Sequence, residues 1–310
     1  MTLGILSHGL PHKVGAQARL WFIEIRPKFL IGSIVVALLG TSIAWWDGFF
    51  SLIDAVLAFI GLVLWHISVQ VLNDYFDFKS GVDLRTKMTP FTGGSGILPA
   101  HLLKAEAIFK FGLLSFALAV PIWIYFIIDK GLLLLPVLAV QAICVLVYTP
   151  YIVKWGLGEI ACGVCLGILP VLVFYFIQTG GYTTKVFMAA VPSGILFFNI
   201  HLFNNFPDAE ADKAGGKKTL PIVIGRKKAA WLFLGGTIVA YTWILACVAV
   251  EVMPLAALLC LISMPFALWA IRGAFNYPSI ATFTPSLWAN ALFLIVTLIM
   301  LASSYIIDHI

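Results

Sequence analysis

The chain has 310 residues, 62% of them hydrophobic and 11% charged, with a formal net charge of +5. Soluble domains carry about 25% charged residues, so this composition excludes a water-soluble globular fold. The positive excess does not call for a nucleic-acid partner, because its placement among the loops has a different cause.

Residues up to about 28 are polar enough to stay out of a membrane and lack the charged, apolar and cleavage regions of a signal peptide. Ala16 to Arg26 can lie along an interface as a short amphipathic helix. Nine apolar segments of spanning length follow, at about 29–46, 52–73, 106–128, 131–148, 158–178, 184–205, 228–248, 252–273 and 286–307. The predicted fold is all-α: a polytopic membrane protein with nine transmembrane helices around a central cavity open to the cytoplasm. It forms a single domain over 1–310, built as two four-helix quasi-repeats at about 29–148 and 158–273 plus a ninth helix. All lysines and arginines except Lys130 and Lys185 fall on the side of the N-terminus. By the positive-inside rule that side is cytoplasmic in a multi-pass protein of the cytoplasmic membrane.

Two stretches at the ends of spans two and six are unlike the rest. The first is Asn73-Asp74-Tyr75-Phe76-Asp77-Phe78-Lys79-Ser80-Gly81-Val82-Asp83; the second is Asn204-Asn205-Phe206-Pro207-Asp208-Ala209-Glu210-Ala211-Asp212. Carboxylates at a membrane boundary are costly without a cationic partner. Mg²⁺ is held by one or two carboxylates together with substrate phosphates, so a matched pair of acid clusters suits a metal-bridged diphosphate. As isolated features each would pass for a solvated loop with ordinary surface acids. His66, Gln70, Asn73 and Asp77 follow i, i+4, i+7, i+11 spacing, and so do His201, Asn205, Asp208 and Asp212. Such stripes face a bundle interior or a wet cavity. Nearby Lys79, Arg85, Lys87, Lys217 and Lys218 can meet a diphosphate, whereas Arg226, Lys227 and Lys228 are read as orientation signal alone.

A diphosphate site in a membrane implies a substrate with a long hydrocarbon tail. If that tail is isoprenoid, ionisation leaves an allylic cation that aromatic faces can stabilise. Phe76, Phe78, Tyr148, Tyr151, Phe198, Phe203 and Phe206 are expected near the cavity mouth. The five cysteines all lie in apolar segments, and Cys162-x-x-Cys165 is read as buried thiols rather than a redox or metal pair.

These motifs resemble the paired aspartate-rich signatures of the UbiA superfamily of intramembrane prenyltransferases. The resemblance spans nearly the whole chain: Arg26-Pro27 before span one, Arg85-Thr86 with Pro90 and Gly94, Tyr148 to Lys154, and Asp208-x-x-x-Asp212 followed by Gly216 to Leu220. It implies that Asp74, Asp77, Asp208 and Asp212 are catalytic and that Asn73, Asp77, Asp83, Asp208 and Asp212 hold Mg²⁺. It also implies that Asn73, Lys79, Arg85, Tyr148, Lys154, Asn204, Asn205 and Lys217 bind substrate. Asp83 lies six residues beyond Asp77, where many members have the next Asp after four, and Thr89 stands where many have a second Arg. The form of the first motif, with Thr92-Gly93-Gly94-Ser95-Gly96, looks most like the menaquinone branch, which prenylates 1,4-dihydroxy-2-naphthoate. The expected partners are a polyprenyl diphosphate, an aromatic acceptor and the bilayer. Rival acceptors are 4-hydroxybenzoate, homogentisate or a lipid. A membrane transporter is the alternative of a different class, disfavoured because the polar groups gather at one membrane face rather than at mid-depth.

Overall fold

The computed structural model describes residues 13–277 and 279–309, and the described residues contain helices but no strand. The expectation that the first residues stay out of the membrane falls in part on 1–12, outside the described residues. A short helix, α1 (Lys13–Glu24), corresponds to the predicted interfacial segment. Among the described residues, nine helices long and apolar enough to cross a membrane follow: α2 (Pro27–Trp46), α3 (Leu52–Ser80), α4 (Ala105–Lys130), α5 (Leu132–Trp155), α6 (Gly158–Thr179), α7 (Thr184–Ala214), α8 (Arg226–Ala249), α9 (Leu255–Phe275) and α10 (Ile280–His309). They match the predicted spans one for one.

Several helices end later than hydropathy placed them, α3, α5 and α7 by the most. α3 runs to Ser80 and α7 to Ala214, against predicted ends at 73 and 205. Hydropathy marks only the length that prefers lipid, and the polar extensions stay helical, α7 even through Pro207. α3 stops only at Gly81, whose φ of 77° lets its N–H bond back to the Asp77 and Phe78 carbonyls. Both acid motifs, apart from Gly81 to Asp83, therefore sit on helix rather than in loops, which fixes their side chains far better than a loop would.

Large aliphatic side chains such as Ile53, Ile128 and Leu132 cover the outside of the bundle, as expected where lipid is the solvent. Inside, helices approach through small residues. One close crossing is α6 on α7, where a Cβ added at Gly167 would meet the Gly194 Cα at 2.6 Å. Ser193 Oγ donates to the Gly167 carbonyl there at 3.1 Å, next to a wide π-helical turn at Gly163–Ile168. This crossing anchors α7, whose far end carries the second acid motif.

The bundle has two unlike ends. At the one remote from the acid motifs, Lys130 Nζ lies 2.9 Å from Asp54 Oδ2, Tyr175 OH donates to Asp47 at 2.6 Å and Trp46 Nε1 donates to Asp308 at 2.9 Å. Ser51 and Gln178 exchange hydrogen bonds there as well. These contacts tie α2, α3, α4, α6 and α10 together.

Candidate active site

A cavity of about 270 Å³ opens among α2, α3, α5 and α7 at the acid-bearing end. The predicted α3 stripe of His66, Gln70, Asn73 and Asp77 lines it, and so do His201, Asn204, Asn205, Asp208 and Asp212 of α7. The two motifs meet at one lysine. Lys217 Nζ lies 2.8 Å from Asp77 Oδ2 and 3.1 Å from Asp212 Oδ1. Burial works against its ammonium, but Asp77 and Asp212 outweigh that and raise its pKa. Asn73 Nδ2 donates to Asp77 Oδ2 and to Thr149 Oγ1, both at 3.0 Å, so Asp77 is oriented from two sides.

The expected site residues do not all arrive at the cavity. Asp83, beyond α3, is buried in the lining, and burial, with Asp77 and Asp74 nearby, pushes its carboxyl up to about 8. Tyr148 lines the cavity too, its OH 2.6 Å from His201 Nε2. Asp74 lies behind the wall, accepting from Ser95 N at 2.7 Å and pairing with Arg26 Nη1 at 3.3 Å. Lys79, Arg85 and Lys154 are exposed outside it; Lys79 sits over the Tyr75 ring and Arg85 Nη1 reaches the Ala214 carbonyl at 3.5 Å.

Arg26 joins α1 to α2 with φ 47° and ψ 60°. That left-handed conformation is unfavourable for a non-glycine residue, and here it turns the guanidinium into the cavity wall, 4.4 Å over the Phe29 ring. Glu24 beside it is fully buried and accepts from Ser95 Oγ at 2.7 Å. Burial and Asp74 push the Glu24 carboxyl up to about 8, with Ser95 and Arg26 opposing. The segment from Asp83 to Pro99 is thus clamped at Ser95 by two acids. Gly94 in it has φ 67°, and a Cβ there would lie 2.9 Å from Asp83 Oδ2, so a side chain at this position would be strained and would push the Asp83 carboxylate aside.

Two sets of functional candidates escaped sequence reasoning. The aromatic rings lining the cavity are Phe29, Trp65, Phe91, Tyr148 and Phe197. Of those expected at the mouth only Tyr148 is among them; Phe203 and Phe206 instead stack in a buried cluster with Phe233 and Phe283. No pattern in the sequence separates these two groups of rings. Glu159 did leave a signal, being an ionisable residue at the start of an apolar span. It is fully buried, and its Oε1 accepts from Asn205 Nδ2 at 2.9 Å and Leu220 N at 2.8 Å, docking the segment after α7 onto α6.

Among the described residues, no three His, Cys, Asp or Glu side chains converge as a complete metal cage. Mg²⁺ does not require one, since it keeps water and substrate phosphates in its shell. Asp77 Oδ1, Asp208 Oδ1 and Asn204 Oδ1 are buried without a hydrogen-bond partner. Unpaired hard oxygens in a cavity wall are the donor type this ion takes.

Residues 33–282 match the UbiA prenyltransferase family. A 1,4-dihydroxy-2-naphthoate octaprenyltransferase from Bacillus subtilis is 31% identical over 275 residues, covering 85% of this chain and 84% of that protein. Its counterpart from Escherichia coli is 29% identical, with 72% and 75% covered. Among solved structures, the apo UbiA homolog from Aeropyrum pernix K1 superposes with a TM-score of 0.66 at 18% identity, covering 91% of this chain and 98% of that one. A UbiA homolog from Archaeoglobus fulgidus bound to DMAPP and Mg²⁺ superposes at 0.60 and 15% identity, with 91% and 99% covered.

Proposed function

The chain belongs to the UbiA prenyltransferase family, and on that footing we propose that it moves a polyprenyl chain from its diphosphate to an aromatic acceptor, 1,4-dihydroxy-2-naphthoate. The observation that carries the reading is the pair of acid motifs on α3 and α7 facing one cavity and joined by Lys217. The names of the relatives from Bacillus subtilis and Escherichia coli support the choice of acceptor.

Asn73, Asp77, Asn204, Asp208 and Asp212 are the residues that would hold Mg²⁺, with Asp83 beside them. The ion, when bound, neutralises the diphosphate and makes it a better leaving group. Lys217 then faces the negative charge that grows on the departing diphosphate. Phe29, Trp65 and Phe197 offer ring faces rather than basic atoms to the allylic cation, and the apolar wall excludes water that would quench it. The acceptor ring attacks the allylic carbon and regains aromaticity by losing a proton or its carboxylate. Because all lysines and arginines but Lys130 and Lys185 gather towards the acid-bearing end, that end is assigned to the cytoplasm.

The test is purified protein with Mg²⁺, a labelled prenyl diphosphate and a panel of arene and lipid acceptors, with products identified by mass. Asp77→Ala and Asp208→Ala are each expected to abolish transfer in folded, inserted protein, and Asp83→Ala to be milder. Transfer that survives chelation of divalent cations, or is indifferent to both main substitutions, would refute the mechanism.

A further inference from the structure

Several polar side chains of the cavity wall are not used by the chemistry above, and one of them, Gln70, is left unpaired at both polar atoms. Gln70 is only 8% exposed and lines the cavity, yet neither its Oε1 nor its Nε2 has a hydrogen-bond partner. A buried carboxamide left unpaired at both ends is costly, and in native proteins such groups call for an explanation. Its position narrows what could satisfy it. Gln70 precedes Asn73 by three residues and Asp77 by seven on the same face of α3, so it lies about 4.5 and 10 Å deeper along the helix at 1.5 Å per residue. That is below the oxygens that would engage a diphosphate, at the level where a reacting ring must meet the allylic carbon. The prenyl tail has no polar atom to offer.

We propose that Gln70 recognises the acceptor: Oε1 accepts from a ring hydroxyl while Nε2 donates to a neighbouring oxygen substituent, the donor and acceptor pair a carboxamide presents. The ligand class is an arene bearing a hydroxyl beside a carboxylate or second oxygen. The surroundings suit a flat ring. Trp65 and Phe197 form apolar walls, and His66, one turn deeper, is held by Ser33 Oγ at 2.7 Å from its Nδ1. The assignment makes Gln70 a determinant of acceptor specificity and leaves diphosphate binding to the carboxylates. It rests on the aromatic-acceptor reading.

Gln70→Met keeps the size and removes both polar atoms; Gln70→Glu keeps one acceptor oxygen but sets a charge against a carboxylated ring. With geranyl diphosphate and 1,4-dihydroxy-2-naphthoate, the acceptor KM is expected to rise on the order of 30-fold in Gln70→Met, from one neutral and one charge-assisted hydrogen bond, and further in Gln70→Glu. The KM for geranyl diphosphate, and its Mg²⁺-dependent binding followed by tryptophan fluorescence, should stay within about twofold, which also reports that each variant is folded. An unchanged acceptor KM in either variant that still binds geranyl diphosphate overturns the assignment of Gln70 alone. A wild-type protein that prenylates no arene overturns the functional reading and this inference with it.

Discussion

Removing Lys217 tests whether the two acid motifs form one electrostatic unit. Its ammonium lies 2.8 Å from one carboxylate oxygen and 3.1 Å from another, with only 13% of its side chain exposed. At an effective dielectric constant of about 20 these separations correspond to roughly 6 and 5 kcal/mol of gross attraction, most of it offset by the cost of burying the charges. What the substitution exposes is the residue left behind: breaking a buried pair costs about 3–5 kcal/mol because a charge stays buried without a counter-ion. Lys217→Met is therefore expected to lower the melting temperature on the order of 5–10 °C in metal-free buffer. Added Mg²⁺ with inorganic diphosphate should restore part of that loss in the variant and shift the wild type less, because a divalent ion can neutralise the same oxygens. Unfolding followed by tryptophan fluorescence in detergent, with and without the ion, measures both effects. A variant that melts like the wild type in metal-free buffer would show that Asp77 and Asp212 do not depend on this lysine.

Three further outcomes can be checked. The raised pKa of Glu24, about 8 against an ordinary 4.5, means that the folded protein holds an extra proton between those values; its contribution is complete below pH 4.5 and lost as pH rises through 8. Wild type should lose up to about 1.4 kcal/mol of stability per pH unit more than Glu24→Gln across that window, and parallel stability curves would refute it. Gly94→Ala, which places a methyl against Asp83 in a left-handed conformation, should loosen the 83–99 segment and raise the KM for prenyl diphosphate by about tenfold or more; unchanged kinetics would mean the segment can shift freely. The same segment is expected to act as a lid, so limited proteolysis at exposed Arg85 or Lys87 should slow when a non-hydrolysable prenyl diphosphate and Mg²⁺ are bound, and equal rates at saturation would make it a plain connector.

How much was legible in the sequence depended on whether a feature is local. Spanning helices announce themselves through runs of apolar residues, and the polar stripes through helical spacing, so His66, Asn73, Asp77, Asp208 and Asp212 were placed on the cavity wall from the sequence alone. The ends of α3 and α7 were misjudged because the cost of leaving lipid and the propensity to stay helical are different quantities. Side chains beyond the helices were harder. Lys79 lies on the last turn of α3 and is exposed, whereas Lys217, beyond the end of α7, turns back to join the two motifs, and nothing local in the sequence marks that return. Ring choice followed tertiary packing, as Phe197 and Phe203, six residues apart on α7, face the cavity and the second core respectively.

The contacts at the end opposite the carboxylates constrain traffic. Lys130 with Asp54, Tyr175 with Asp47, Trp46 with Asp308 and the reciprocal Ser51–Gln178 bonds join helices that would have to separate for water to enter from that side. A carrier must show its binding site to each compartment in turn, and this bundle could do so only by breaking that whole set at once. The cavity reaches the acid-bearing end, and among the described residues these contacts tie the helices together at the other, so turnover at the carboxylates does not require that far end to part.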